Sequence, residues 1–370
     1  MTNLDAEWWA TVDRRGKVGS RHHVVPRFVL DRWADSGGQV WAKSKQDRKE
    51  GLRNVKDLGI KDFYTFVATD GQLDSSVEEV LSLVEKRGSV VLSRLVSPWT
   101  TDVVLTPEEV LHLAEFVAIQ IARSPRRRRE HELLADFYAK TEVSGNMPSE
   151  MTEDDLRSFE FVPHQNDNIE VMIPVAHEIT GMLMERPVSV ITLDRPLLFA
   201  GDEMVVLNTA GDPARHLPEC AMTEVEFKRK LRLASRRSSR TREVRRIIHV
   251  YTTQSKDVSE ALEVAMPISP RAVLLFESPA EWQGTVVRET VSGSEADELA
   301  GVINDGILRY SLDMLVGRVD DQHFRDLEIP ERTALMAVCG STGAAKDALL
   351  SVPKRLRPRR LDCNPTPITT

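Results

Sequence analysis

The segment Thr106-Pro107-Glu108-Glu109, followed by VLHLAEFVAIQIAR, constrains the fold of this chain more than any other. Threonine can cap free backbone N–H groups, proline presets the first helical turn, and the third-position acid can reach back to the cap. The run behind it is apolar nearly all round, and such a helix is stable only when neighbours cover every side. The rest of the chain must supply that cover. With 370 residues, 41% of them hydrophobic, it has the material for a sizeable core. That length fits two domains, or one large one with a tail.

Other local signals fill in the framework. Pro26 suits the start of a short helix carrying Phe28, Val29, Leu30 and Trp33. Gln39–Lys43 and Asp62–Phe66 read as strands. Ser75-Ser76-Val77-Glu78 reads as a capping box for a helix through Leu95, weakened at Gly88. Ser124-Pro125 restarts a helix after the apolar one, and Thr152 opens a short one. A helix over 168–185 is followed by the strand-like runs VSVITLD, LLFA, MVVLN, IIHVYT and AVLLFE. SKDVSEALEVAM reads as helical, and Ser294-Glu295-Ala296-Asp297 opens a long final helix running through DMLV.

These signals predict an α+β protein, with a mostly helical N-terminal part packed on a small mixed or antiparallel sheet with helices. The expected organisation is a flexible lead over 1–20, one compact body over 20–318 (helical 20–160, α+β 161–318), and a weakly structured basic, Pro-rich tail over 319–370.

Composition excludes several function classes. The net charge of −8, from 49 Lys+Arg and 57 Asp+Glu, argues against a uniformly basic nucleic-acid binder. Cys220, Cys339 and Cys363 are too few and too scattered for a disulfide framework or a four-cysteine zinc site. No stretch approaches ~20 apolar residues, so no membrane span is expected. The start, MTNLDAEWWATVDRRGK, lacks a signal-peptide pattern, and the expected location is the cytoplasm.

Adjacent His22 and His23 are the most unusual local feature. Histidine titrates near neutrality and is the commonest metal ligand. On an extended stretch the two rings point to opposite sides, so at most one faces a given site. A following helix N-terminus disfavours a protonated ring and keeps the imidazole neutral, as a general base or ligand must be. Two satisfied structural histidines remain the alternative.

Glu78 and Glu85 lie two turns apart on one helix face. Glu78 reads as a solvated acid, and Glu85, behind Val84, as either solvated or inward. Gln120 and Arg123 close the apolar helix, where a buried arginine needs an anionic ligand or an internal acid such as Glu85. Asp202 follows a strand and Gly201, as a ligand-facing carboxylate or a turn aspartate. His177-Glu178 lacks the second histidine of a zinc-protease motif.

Two basic runs stand out in this acidic chain. Arg126–Arg129 and the segment 228–246, with Arg236, Arg237 and Arg240, read as phosphate-binding patches or as solvated loops. Aromatic residues do not interleave with the second run, so base stacking is not expected there.

His22-His23-Val24-Val25-Pro26-Arg27-Phe28-Val29-Leu30 resembles the opening signature of the bacterial family called domain of unknown function 4238. That signature is a basic residue, two histidines, any residue, Val-Pro, then an aromatic-rich helix. Further landmarks follow in the family's order: Phe63-Tyr64-Thr65, Val77-Glu78 with Val84-Glu85, Gln120 through Pro125, Phe199-Ala200-Gly201-Asp202, Met266 through Pro270, and Asn304. Where the family carries Ser-Asp-Asn-Pro, this chain has Gly201-Asp202-Glu203-Met204, and Pro187 stands where tryptophan is frequent.

The resemblance implies an effector associated with defence against phage, without implying a reaction. The candidate site it assembles has His22, His23, Glu85 and Asp202 as catalytic groups and Gln120, Arg123 and Asn304 as ligand-binding ones. Arg236, Arg237 and Arg240 would contact phosphate. Two function classes follow. One is a histidine-dependent enzyme, of hydrolase or nuclease type and with room for a divalent metal, acting on nucleic acid or a nucleotide. The other is a non-catalytic module that senses or binds a ligand or phage component. Oligomeric state and cofactor stay open.

Overall fold

Thr106 caps the apolar helix as expected. Its side chain accepts from the Glu109 N–H, and the Glu109 carboxylate accepts from the Thr106 N–H. The computed structural model describes residues 22–61, 63–67, 73–74, 76–97, 103–146, 149–158, 160–208, 249–252, 258–332 and 335–339. The 1–20 lead, the 228–246 basic segment with Arg236, Arg237 and Arg240, and the chain beyond 339 lie outside the described residues.

The chain opens with β1 (His22–His23), α1 (Arg27–Leu30), β2 (Gln39–Ser44), β3 (Lys49–Asn54), β4 (Ile60–Lys61), β5 (Phe66–Val67) and β6 (Leu73–Asp74). Helices follow: α2 (Ser76–Leu95), the short strand β7 (Val103–Val104), α3 (Pro107–Ala122), α4 (Pro125–Gly145), α5 (Glu153–Ser158) and α6 (Gln165–Met184). The later half runs β8 (Val188–Leu193), β9 (Ala200–Gly201), β10 (Val206–Asn208), β11 (His249–Thr252), β12 (Glu263–Ser269), β13 (Ala272–Phe276) and β14 (Thr285–Val291). It closes with α7 (Gly293–Tyr310), β15 (Met314–Gly317), α8 (Gln322–Asp326) and β16 (Met336–Cys339).

The apolar helix α3 packs between α2 and α6, which explains its all-round hydrophobicity. Gly88, a weak point by propensity, is where α2 meets α3. A Cβ there would lie 2.6 Å from Phe116, so the glycine buys contact rather than flexibility. Pro174 sits inside α6.

The large sheet is mixed, in the order β10-β12-β13-β8-β14-β7, with β8 and β14 parallel and the other pairs antiparallel. Its alternating side chains feed two cores. Leu274, Phe276, Val264 and Met266 join the cluster that contains α3 and α6. Val273, Leu275 and Ala265 join Ala300, Ile303 and Ile307 of α7. Burial on both faces accounts for the unbroken apolar run AVLLF. The α+β class holds.

Several expectations change. Glu263–Met266, read as helical, form β12, paired with β10 and β13. Met314–Gly317, read as the end of a helix, form β15 inside a four-stranded sheet ordered β3-β2-β15-β9. The β2–β3 hairpin of the N-terminal part joins strands from the C-terminal part. Past residue 319 the chain is still packed: Phe324 of α8 is fully buried against Phe199, and β16 pairs with β11.

Candidate functional site

β1 pairs with β4 and turns its two histidines to opposite sides. His22 is buried, with its ring 5.4 Å from that of Tyr64, and its Nδ1 accepts the Tyr64 backbone N–H at 3.2 Å. An accepting Nδ1 puts the proton of the neutral ring on Nε2. His22 is thus held as a neutral ring whose Nδ1 lone pair is already committed, which corrects its expected role as a general base through that atom. His23 has the other tautomer. Its Nδ1–H donates to the Leu58 carbonyl at 3.1 Å, so Nδ1 carries a proton there.

Beyond Tyr64 lies a buried polar cluster built by α2 and α3. Arg123, the residue that closes α3, is 3% exposed and places Nη1 2.7 Å from Glu85 Oε1. Its Nη2 donates to Gln120 Oε1 at 3.0 Å, and Gln120 Nε2 donates to the Phe116 carbonyl at 3.4 Å. The inward alternative for Glu85 is the correct one, and its partner is the internal arginine.

Glu78 is also drawn in, contrary to its reading as a solvated acid. Its Oε2 is buried without a hydrogen-bond partner, and burial lifts its carboxyl to about 7, helped by Glu85 and opposed by Arg123. Tyr64 belongs to the same cluster. Burial pushes its hydroxyl up to about 12, and that hydroxyl reaches the Arg123 carbonyl at 3.5 Å.

Tyr64 and Arg123 also line a cavity of about 220 Å³, together with Phe63, Arg127, Arg128 and His131. Ser124 caps α4 by accepting the Arg127 N–H at 3.2 Å, which delivers this arginine run to the cavity on the helix expected there. The solvated alternative for Arg126–Arg129 is corrected by burial and pairing. Arg126 pairs with Glu130 at 3.0 Å, and Arg129 with Glu132 at 3.1 Å and with Glu160. Arg128 bonds Glu132 and the Phe63 carbonyl, stacking 4.2 Å over the Phe63 ring. Arg127 is the most loosely held, 4.0 Å from Glu130. Also on the cavity lining, His131 Nδ1 meets Asn168 Oδ1 at 2.9 Å.

Asp202 does not join this cluster. Its Oδ1 accepts from Leu312 N–H at 2.8 Å, and its Oδ2 accepts from Asp313 and Met314 N–H at 2.9 and 3.1 Å. The turn alternative for Asp202 is the correct one and its expected catalytic role is corrected: it ties the turn between α7 and β15. Burial still pushes its carboxyl up to about 6, against the pull of those amides. Beside it Glu203, raised by burial to about 8, faces Ser124, Arg127 and Arg126. Lys45 donates to the Ser311 carbonyl at 2.8 Å, its amine lowered by burial to about 8.

Asn304, expected to bind ligand, instead clamps backbone. It accepts from Phe199 N–H at 2.9 Å and donates to the Leu197 carbonyl at 2.8 Å. Pro270 plays a related part, its carbonyl accepting from Leu197 and Leu198 N–H.

The structure therefore brings together His22, Glu85, Gln120 and Arg123, and separates Asp202 and Asn304 from them by function. Tyr64 and His131 are the participants that local reading missed, while Glu78 was read as solvated and Arg127 and Arg128 only as part of a basic run. Among the described residues no three His, Cys, Asp or Glu side chains are grouped to hold a metal ion, and no helix is long and apolar enough to cross a membrane.

A sequence profile of the family described as "Protein of unknown function (DUF4238)" matches residues 21–305. No curated protein and no solved structure matches the chain. The chain belongs to the DUF4238 family.

Proposed function

We propose that this DUF4238 protein is an enzyme that binds a nucleotide-like organic anion in the arginine-lined cavity, with Glu78, which lies outside the cavity lining and acts on Arg123 in its wall, as the candidate proton donor. The observation that carries this reading is the convergence of Arg123, Arg127 and Arg128 on one cavity whose lining carboxylate, Glu130, is paired with Arg126. Guanidinium groups suit phosphate, and the Phe63 and Tyr64 walls suit a flat ring. A carboxyl titrating at about 7 is half-protonated near neutrality, the condition under which general acid–base catalysis is most effective. The Glu85–Arg123 pair would hold the charge in place.

A nucleotide at the end of a nucleic-acid strand offers the same chemistry, and the sequence of the basic run with Arg236, Arg237 and Arg240 suits phosphate contacts of its own. The setting we propose for this activity is defence against phage inside a bacterial cell. A non-catalytic sensor is the second reading. It is favoured by His22, whose Nδ1 already accepts a backbone amide and cannot take a proton from a ligand there.

Calorimetric titration of purified protein with nucleoside mono-, di- and triphosphates should show saturable binding, tighter than for inorganic phosphate. Arg127→Ala should weaken it about tenfold, the scale of one charge-assisted hydrogen bond. Glu78→Gln should keep binding while removing product, followed chromatographically. Binding indifferent to Arg127→Ala, or no binding, overturns the reading. Tight binding without any product replaces the enzyme with the sensor.

A further inference from the structure

A second cavity, of about 500 Å³, lies among α2, α3 and α6. Its walls are apolar, formed by Val80, Leu81 and Val84 of α2, Ile119 of α3, and Met172 and Ala176 of α6. Met172 also lines the arginine cavity, so the two share a wall. Pro174 and Gly181 both face the larger space, and a Cβ at Gly181 would meet nothing within 4 Å.

Three polar side chains interrupt the apolar lining: Glu115, His177 and Thr180. The Thr180 hydroxyl donates to the Ala176 carbonyl at 2.8 Å. Glu115 is different. Its Oε2 is buried and has no hydrogen-bond partner, although α3 otherwise buries only apolar residues and Gln120 from Leu113 to Ile121. Burial raises its carboxyl above the usual range, against His112, Arg87 and His177.

We propose that this cavity is a binding site for a small apolar molecule carrying one hydrogen-bond donor, an amine or a hydroxyl, which seats on Glu115 Oε2. The volume falls within the range of small-molecule sites, about 300–1,000 Å³. An apolar body gives up no hydrogen bonds on entering such a lining, and a single donor satisfies the one stranded acceptor. A ligand ending in a carboxylate would be set against Glu115. This site stands independently of the nucleotide reading. It has a route to it all the same: α2 turns Val80 and Val84 to this cavity and Glu78 and Glu85 to the polar cluster, while α3 turns Ile119 one way and Gln120 the other.

The test uses the full chain and the neutral fluorophore N-phenyl-1-naphthylamine, displaced by decylamine, 1-decanol or decanoate below their micellar concentrations. We expect one saturable probe site, with decylamine and decanol displacing at concentrations about tenfold or more below decanoate. Glu115→Leu should bring the three competitors together. Ala176→Leu, at a buried position of the wall, should abolish probe binding while the chain still unfolds in one thermal transition, and Gly181→Leu, at the exposed edge of the space, serves the same end should the first variant not fold. Non-saturable probe binding, unaltered binding in the filled variants, or a competitor ranking that survives Glu115→Leu would each overturn the proposal.

Discussion

On either side of Ser124 this protein buries acids, and the two sides treat them differently. Towards α2, Glu85 holds Arg123 while Glu78 keeps a buried oxygen with no donor. Towards the turn before β15, Asp202 accepts from three backbone N–H groups with its two oxygens. Both Glu78 and Asp202 have raised carboxyl pKa values, about 7 and about 6, and burial is the main cause in each. A displaced pKa in a buried place is therefore no guide by itself to a working group. What distinguishes the two is whether the oxygens already have donors. Asp202 has been consumed by the fold, and Glu78 retains capacity for a ligand.

The comparison can be broken first at Arg123. Arg123→Ala leaves Glu85 facing a buried gap, and should cost about 3–5 kcal/mol in urea unfolding. Replacing both partners, Glu85→Met with Arg123→Met, should recover much of that loss while still abolishing ligand binding. If the double variant binds normally, the pair is scaffold and the site lies elsewhere.

Asp202→Ala orphans three amides and should cost about 3 kcal/mol, with Asp202→Asn milder because one acceptor oxygen remains. Ligand affinity, measured below the melting transition, should be retained. A variant that folds as well as the parent but loses binding would reverse the assignment of the two sides.

Glu78 makes a pH prediction. Its folded pKa, about 7, lies above the 4.5 of the free acid, so the folded state holds the proton more tightly. Its contribution to stability is complete below pH 4.5 and is lost as pH rises through about 7. Glu78→Gln should flatten the fall in stability across that window and leave the variant about 1–2 kcal/mol above the parent at pH 8. Glu203, raised to about 8, carries the same sign and should keep a residual slope in the variant. An unchanged profile would show that Glu78 meets solvent or a donor.

The smallest effect is expected at Asn304. Asn304→Ala removes two hydrogen bonds to the 197–199 backbone and should cost about 1–2 kcal/mol, with ligand affinity untouched.

The parts of this fold that were legible in the sequence are those made by local interactions. The Thr106 and Ser124 caps each engage a backbone group three residues on. The stripe on α2 needs one segment to be seen. β12 and β15 were not legible, because Glu263–Met266 and Met314–Gly317 are strands by virtue of partners distant in the chain. The same division runs through the site. The pairing of Arg123 with Glu85 was one of two readings open from burial alone. Glu78 could not be separated from exposed Glu79 until Arg123 arrived from another helix. The arginine run did carry an unused signal, since Glu130 and Glu132 follow Arg126, Arg128 and Arg129 at three- and four-residue spacings. Asp202 had none, because its three donors lie at 312–314.

Only Arg123 and Ser124 lie between the two helices, with Arg123 anchored to Glu85 and Arg126, just inside α4, anchored to Glu130. Such a joint behaves as a rocker: with both arms pinned close to the pivot, neither can be re-aimed without tilting the other. The acids on the two sides thereby lose their freedom to vary one at a time. A substitution at Glu85 and one at Glu203 should therefore show a double-mutant energy different from the sum of the two, although their helix and turn are remote in the chain.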